Sequence, residues 1–287
     1  MTHRPVAVIG LGLMGTAITE RLLAHAYPVR VWNRTRDKAG PLIDRGASWS
    51  DHPAAECDRV IISLFSSDVV ADVLGQMEAD LRPGQFVVDT TTGNPEQTLA
   101  LAQRLAKKGV QYLDAPISGS SEQTRKGEAT VMVGGDKATF DACADLWPVL
   151  GRMVFHTGPS GSASKMKLVT NLVLGLNRAV LAEGLAFAEF IGVDPAAALE
   201  VLKGSPAYSR AMDVKGTKMI HRDFSVQARL AQHLKDVNLM IDAAAAAGKS
   251  LPLAMTHQAL MEQAIEMGLG DLDNSVIIEA IRESSRS

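Results

Sequence analysis

The stretch Val6-Ala7-Val8-Ile9-Gly10-Leu11-Gly12-Leu13-Met14-Gly15 decides the fold of this chain. Four apolar residues, two of them valine and one isoleucine, read as a short buried strand. Gly10, Gly12 and Gly15 follow at Gly-x-Gly-x-x-Gly spacing, and the residues from Thr16 to Leu23 carry helical periodicity. In a strand–turn–helix each glycine has a task. Gly10 permits the tight turn, Gly12 lets backbone approach a pyrophosphate, and Gly15 lets the helix lie close on the sheet. The backbone N–H groups of Leu13 and Met14, at the positive end of the helix dipole, are then placed to meet phosphate oxygens. The alternative is a plain glycine turn, but the strand before it and the helix after it are the context a dinucleotide site requires.

The next strand, Pro28 to Trp32, ends in Asn33-Arg34-Thr35. An NAD site normally carries a carboxylate here, about 20 residues beyond the glycines, to accept from the ribose 2′-OH. Asn33 replaces it, and Arg34 and Thr35 supply a guanidinium and a hydroxyl suited to a 2′-phosphate, which a carboxylate would repel. The expectation is NADP(H) in preference to NAD(H). Solvated surface arginines at Arg34 and Arg36, with Asp37 capping the next helix, are the competing explanation.

At 287 residues, with 46% hydrophobic and 21% charged residues, the chain has the composition of a soluble globular protein of about two domains. A formal net charge of -3 without a long basic run points away from nucleic acid. Cys57 and Cys143 lie far apart, which fits a reducing compartment, and the seven histidines form no metal-like spacing. The first strand begins within a few residues of Met1, so no signal peptide is expected and the protein is expected in the cytoplasm. The apolar segment Val169 to Ile191 carries Asn171, Arg178, Glu183 and Glu189, so it is expected to be a buried helix and not a membrane span.

Strands and helices alternate as far as about residue 156. Strands are expected at Arg59–Leu64, Gln85–Asp89, Val110–Ala115 and Ala129–Val133, with helices at Ser67–Ala79, Pro95–Lys108 and Asp136–Leu146. That alternation predicts an α/β fold with a Rossmann-type, doubly wound parallel sheet. Its ligand belongs at the carboxyl ends of the strands, where Gly10 to Gly15, Asn33 to Thr35, Ser63 to Ser66 and Thr90 to Gly93 form one rim. From Ser162 the strand pattern stops. A long helix to Ile191 is followed by helical segments at Pro195–Lys203, Arg210–His221, Val226–Ala247, Leu251–Met267 and Ser275–Ser284, with Asp273-Asn274 as the cap of the last. The organisation is thus an NADP-binding domain over residues 1–161 and an all-α substrate and oligomerisation domain over 162–287, joined by the long helix.

Further motifs, in order after the glycine turn, resemble the β-hydroxyacid dehydrogenase family, which includes 3-hydroxyisobutyrate dehydrogenases, tartronate semialdehyde reductases and glyoxylate/succinic semialdehyde reductases. Asp114-Ala-Pro-Ile-Ser118-Gly119-Ser120, with Gly127 and Met132-Val-Gly-Gly135 behind it, is similar to the family's substrate-binding segment. Gly158-Pro-Ser-Gly161 followed by Lys167 and Asn171 is similar to its catalytic segment, and Lys235-Asp236 to the lysine-aspartate pair of its C-terminal domain. Asp89-Thr-Thr-Thr92-Gly-Asn-Pro95 resembles the loop that touches the nicotinamide ribose. The resemblance runs over nearly the whole chain. It implies a reductase of small carboxylated aldehydes, or the reverse oxidation of hydroxy acids. The long apolar helix, with more apolar surface than one small helical domain can bury, adds the expectation of a homodimer or higher homo-oligomer, and composition that of no nucleic acid or membrane partner.

The chemistry can be argued from the residues themselves. Hydride transfer to an aldehyde leaves charge on oxygen, so a proton donor must stand beside it. Lys167 can serve, and Asn171, four residues on, shares its helix face and can hold the geometry. Lys165 is the rival, but its partner four residues on is Val169. Ser118, Gly119 and Ser120 follow a strand, where successive N–H groups and hydroxyls can cradle a substrate carboxylate. Lys235 is a further candidate for substrate or cofactor, or an ordinary helix charge. Ala163 stands where many relatives have glycine before the lysine, and Ser120 also replaces a common glycine. Phosphogluconate dehydrogenases carry histidine beside the asparagine, whereas this chain has Thr170-Asn171. Two alternatives remain at this level: an imine reductase, in which the lysine position typically differs, and a cofactor-binding scaffold that has lost turnover.

Overall fold

The computed structural model describes residues 3–284, which fall into two compact units that divide between Lys167 and Leu168. The first unit contains β1 (Val6–Ile9), α1 (Leu13–Ala24), β2 (Val29–Trp32), α2 (Gly40–Ile43), β3 (Ser48–Trp49), α3 (Pro53–Glu56), β4 (Arg59–Ile62), α4 (Ser67–Gln76) and β5 (Phe86–Asp89). It continues through α5 (Pro95–Ala106), β6 (Gln111–Asp114), β7 (Ile117–Ser118), α6 (Ser121–Lys126), β8 (Thr130–Gly134), α7 (Lys137–Ala142), α8 (Trp147–Leu150) and β9 (Met153–Gly158).

The sheet runs β3-β2-β1-β4-β5-β6-β8-β7, with β9 against β8. The six strands from β3 to β6 are all parallel. The chain moves outward from β1 to β3 and returns on the other side as β4, so the order reverses between β1 and β4. That is where a ligand crevice forms in such a sheet. Successive residues of β1 enter opposite layers: Val6 and Val8 pack with Ile18 and Leu22 of α1, while Ala7 and Ile9 pack with Val70 and Leu74 of α4 and Leu105 of α5. Each large aliphatic side chain buried this way contributes about 1.5–3 kcal/mol. Burial on both faces explains why β1 reads as an unbroken apolar run.

Beyond β6 the expected parallel alternation gives way. β8 pairs antiparallel with both β6 and β7. Between Asp114 and Thr130 the chain holds only β7 and a six-residue helix. That is too little for the usual crossover between parallel neighbours. β3, β7 and β9 were not expected from sequence, and the helix expected over Asp136–Leu146 is split into α7 and a separate turn leading to α8.

α9 (Ser162–Phe190) carries the chain from the first unit into the second. Its 29 residues are long and apolar enough to cross a membrane by length and composition. Lys167, Asn171 and Arg178 are nevertheless buried along it, an arrangement hydrocarbon would penalise. The second unit adds α10 (Pro195–Lys203), a π-helical turn (Met212–Gly216), α11 (Thr217–His221), α12 (Leu230–Ala246), α13 (Pro252–Glu266) and α14 (Ile277–Ser284). Leu181, Leu185 and Ala186 of α9 share its core with Val237, Met240, Met261 and Ile277. The helix expected from Val226 begins at Leu230. Asp273 caps the short 3-10 turn before α14, accepting from Ser275 N, and its carboxylate also holds Lys215 Nζ at 2.8 Å. That ion pair keeps Asp273 down at about 2 against the opposing effect of burial.

Candidate active site

The glycine turn has the geometry its spacing calls for. Gly10 takes φ +97, and a Cβ there would lie 2.2 Å from the carbonyl oxygen of Ser63 at the end of β4. A Cβ on Gly15 would lie 1.8 Å from the Gly10 oxygen, so α1 can seat this closely only with glycine. At Gly12, the N-cap of α1, the same construction meets nothing within 4 Å. Open space at a helix start with no acid in its first turn is what a pyrophosphate needs, and the amides of Leu13 and Met14 begin that turn.

Asn33 does more than vacate the place of a ribose-binding acid. Its Oδ1 accepts from Leu11 N at 2.9 Å and its Nδ2 donates to Thr35 O at 2.8 Å. One amide thus ties the glycine turn to the end of β2. Arg34 and Thr35 are exposed beside it, and Arg36 lies over the Trp49 ring at 5.0 Å. Farther along the rim, Leu64 N donates to Thr91 Oγ1 at 3.1 Å. Asp89 accepts from Thr91 N at 2.9 Å and from the Tyr112 hydroxyl at 2.7 Å, which fixes the start of the loop carrying Thr92. Burial pushes the Asp89 carboxyl up to about 6 in spite of these bonds.

Asp114, at the end of β6, grips the beginning of α9. Its Oδ1 accepts from Gly161 N and its Oδ2 from Ser164 N, both at 2.8 Å, and Ser164 Oγ adds a bond of 3.2 Å. With Ser164 fixed, Lys167 lies one turn farther on and is buried, 6% exposed, while Lys165 points to solvent. Ala163 is fully buried, so alanine fits the position where glycine is common. Ser118 ends β7 and Gly119 follows it, and both are half-buried. Ser120 departs from the expected cradle: it is the N-cap of α6, its N–H donates to Gln123 Oε1 at 2.9 Å, and its Oγ accepts from Gln123 N at 3.2 Å. Its backbone donor is therefore already committed, and the groups left for the expected cradle are those of Ser118 and Gly119 and the Ser120 hydroxyl proton.

In the helical unit Asn171 is buried and donates from Nδ2 to Asp236 Oδ2 at 3.0 Å. Asp236 Oδ1 in turn pairs with Lys235 Nζ at 3.0 Å.

Residues 5–158 match the family model described as the NAD binding domain of 6-phosphogluconate dehydrogenase. Residues 161–281 match that described as NAD-binding of NADP-dependent 3-hydroxyisobutyrate dehydrogenase. Glyoxylate/succinic semialdehyde reductase 1 of Arabidopsis thaliana is 31% identical over 97% of this chain and 99% of its own length. The chain belongs to the β-hydroxyacid dehydrogenase family. The 2-hydroxy-3-oxopropionate reductase of Escherichia coli K12 is likewise 31% identical, over 95% of each chain. A Mycobacterium tuberculosis 3-hydroxyisobutyrate dehydrogenase solved with L-serine superposes with TM-score 0.88 at 25% identity, covering 98% of this chain and 99% of that one. Like other β-hydroxyacid dehydrogenases it is an oxidoreductase with a nicotinamide coenzyme, built on a Rossmann-type domain followed by a helical one.

Within this family frame, three contributions escaped sequence reasoning. Asp114 was noted as part of a motif, yet its grip on α9 depends on a contact across 50 residues. The Asn171–Asp236 bond spans 65 residues, and only the shared polarity of two helix faces hinted at it. The role of Asn33 in holding Leu11 had a detectable signal, because an amide at a strand end beside a glycine turn is well suited to bond backbone.

Proposed function

We propose that the protein is an NADPH-preferring reductase that interconverts a small carboxylated aldehyde, a semialdehyde or glyoxylate, with its hydroxy acid. Lys167 is the general acid in reduction and the general base in oxidation. The observation that carries this reading is the contrast on the first turns of α9: Lys167 is buried one turn before the buried Asn171, and Lys165 is exposed. A lysine held out of bulk water beside a buried asparagine is placed to protonate an alkoxide that forms next to it.

The coenzyme, when bound, supplies the hydride. Gly10, Gly12, Gly15 and the amides of Leu13 and Met14 receive its pyrophosphate, Arg34 and Thr35 its 2′-phosphate, and Thr92 its nicotinamide ribose. Ser118 and Gly119 hold the substrate carboxylate, which fixes the carbonyl carbon and lets orientation carry part of the barrier. Lys167 Nζ then delivers its proton as negative charge develops on the carbonyl oxygen. Asn171, locked by Asp236, holds the lysine or the substrate oxygen in line.

The chain is further proposed to self-associate through α9. Val173, Val180 and Phe187 recur every seven residues and are 54%, 68% and 58% exposed, a stripe suited to a second copy of the same helix. A light-scattering mass equal to one chain would remove that part of the proposal.

The deciding experiment measures oxidation of NADPH and of NADH against glyoxylate, succinic semialdehyde, tartronate semialdehyde and methylmalonate semialdehyde, alongside Lys167→Ala. Turnover with NADPH that falls by about 10²–10⁴ in the variant, with NADPH binding retained, is the expected result. An unaffected variant overturns the assignment of Lys167, and absence of turnover on every aldehyde overturns the substrate class.

A further inference from the structure

A cavity of about 220 Å³ opens between α4 and α5, with the buried Asp89 at its floor and the exposed Asp68 at its rim. Val70, Ala71 and Leu101 give it an apolar wall, and Arg104 of α5 lines it as its one cation. The volume suits a compact metabolite and is too small for a nucleotide.

The polar groups of the residues that line this space are unevenly satisfied. Arg104 Nε and Nη2 are closed from solvent and have no hydrogen-bond partner among the described residues. These two nitrogens form the edge of the guanidinium that matches a carboxylate in a two-point contact. A buried donor edge without an acceptor is costly, so a ligand able to draw that edge into the cavity gains a bond the free protein lacks. Asp68 accepts one bond from Gln97 Nε2 at 2.7 Å, and Asp89 accepts from Tyr112 and Thr91. Each carboxylate keeps lone pairs to spare.

One guanidinium, two carboxylates and an aliphatic wall around one small space specify a ligand with charge of both signs. A simple carboxylate would meet Arg104 but be repelled by two acids. A simple amine would satisfy the acids and leave Arg104 unmet. We propose that the α4–α5 cavity binds a small aliphatic α-amino acid, its carboxylate on Arg104, its ammonium on Asp68 and Asp89, and its side chain against Val70, Ala71 and Leu101. This site is distinct from the glycine turn and from Lys167, and the proposal does not depend on the reaction assigned above.

Isothermal titration of the intact protein with L-valine, L-alanine, isobutyrate and isobutylamine, in the presence and absence of saturating NADP+ or NAD+, tests it. The amino acids are expected to bind once per chain, and the two singly charged analogues at least about tenfold more weakly. Binding is expected to persist with coenzyme saturating and in Lys167→Ala, and to weaken by at least about tenfold in Arg104→Gln, whose turnover and unfolding temperature stay at the parent values. Asp68→Asn, at an exposed position, gives the same weakening and serves if Arg104→Gln does not fold. Any of four results overturns the proposal: no binding of either amino acid in the millimolar range, isobutyrate binding as well as L-valine, full binding in the Arg104 and Asp68 variants, or binding lost with coenzyme or in Lys167→Ala.

Discussion

Asn171 Nδ2 donates to Asp236 Oδ2 at 3.0 Å, and through this bond α12 sets the orientation of the amide that follows the candidate catalytic lysine. Asp236 is also the partner of Lys235, so one buried carboxylate holds two candidate site residues. Asp236→Ala strips the acceptor from a buried amide and from a lysine. Urea denaturation should show a loss of about 1–3 kcal/mol, and kcat should fall while the KM for coenzyme changes little. A variant of parental stability and kcat would show that this bond orients nothing.

Asp114→Ala should be the more damaging change. It leaves two backbone N–H groups and a serine hydroxyl at the start of α9 without their acceptor. A stability loss of about 3 kcal/mol or more is expected in chemical denaturation. Near-complete loss of turnover should accompany it under conditions where the variant remains folded, because Ser164 no longer sets the rotation of Lys167.

Asn33→Asp tests the coenzyme preference. The substitution keeps an oxygen for Leu11 N, removes the donor to Thr35 O, and places negative charge where a 2′-phosphate is proposed to sit. The ratio of kcat/KM for NADPH over NADH should fall by at least about tenfold, the size of one charge-assisted hydrogen bond. An unchanged ratio would move the discriminating contact away from the end of β2.

The dependence of stability on pH should have opposite signs in the two units. His257 is buried in the helical unit, and burial, with Arg178 nearby, pushes its imidazole down to about 4 from 6.5. As pH falls from 6.5 toward 4 the unfolded chain takes up a proton that the folded chain refuses, so this unit loses roughly 3 kcal/mol. Asp89 in the first unit is pushed up to about 6 from 3.8, so its carboxylate is a burden above pH 6 that is relieved as pH falls toward 3.8. Hydrogen exchange followed from pH 7 to 4.5 should show protection falling around α13 and rising around β5. His257→Leu should flatten the first trend and leave the second.

Much of this molecule could be read from residue order because its signals are local. The glycine spacing, the unbroken apolar strands and Pro95 at a helix start are decided within a few residues, and β1, α1, β4 and β5 formed where those signals lie. The short β7 was invisible, because two residues carry no periodicity, and the antiparallel pairing of β8 depends on the length of a connection and not on the strand itself. At the candidate site, residue types could be named, but their commitments could not. Ser120 reads from sequence as a ligand-binding hydroxyl, and only the structure shows that it also caps α6 with its amide bonded to Gln123, since a capping box and an anion cradle call on the same serine. The charges of the helical core were no easier to foresee, because nothing in the order of Arg178, Lys215, His257 and Asp273 says that they meet.

The grip of Asp114 on Gly161 and Ser164 bears on how this chain can change length. Loops upstream of Gly158 can gain or lose residues and leave the clamp alone. Between Ser164 and Lys167 no such tolerance exists, since each residue added to a helix turns everything beyond it by about 100°. A single insertion there would turn Lys167 by that angle relative to the clamp, away from the face on which it is buried. The distance of three positions from clamp to lysine is therefore a ruler, and descendants of this sequence can vary either end in chemistry far more easily than they can vary the count between them.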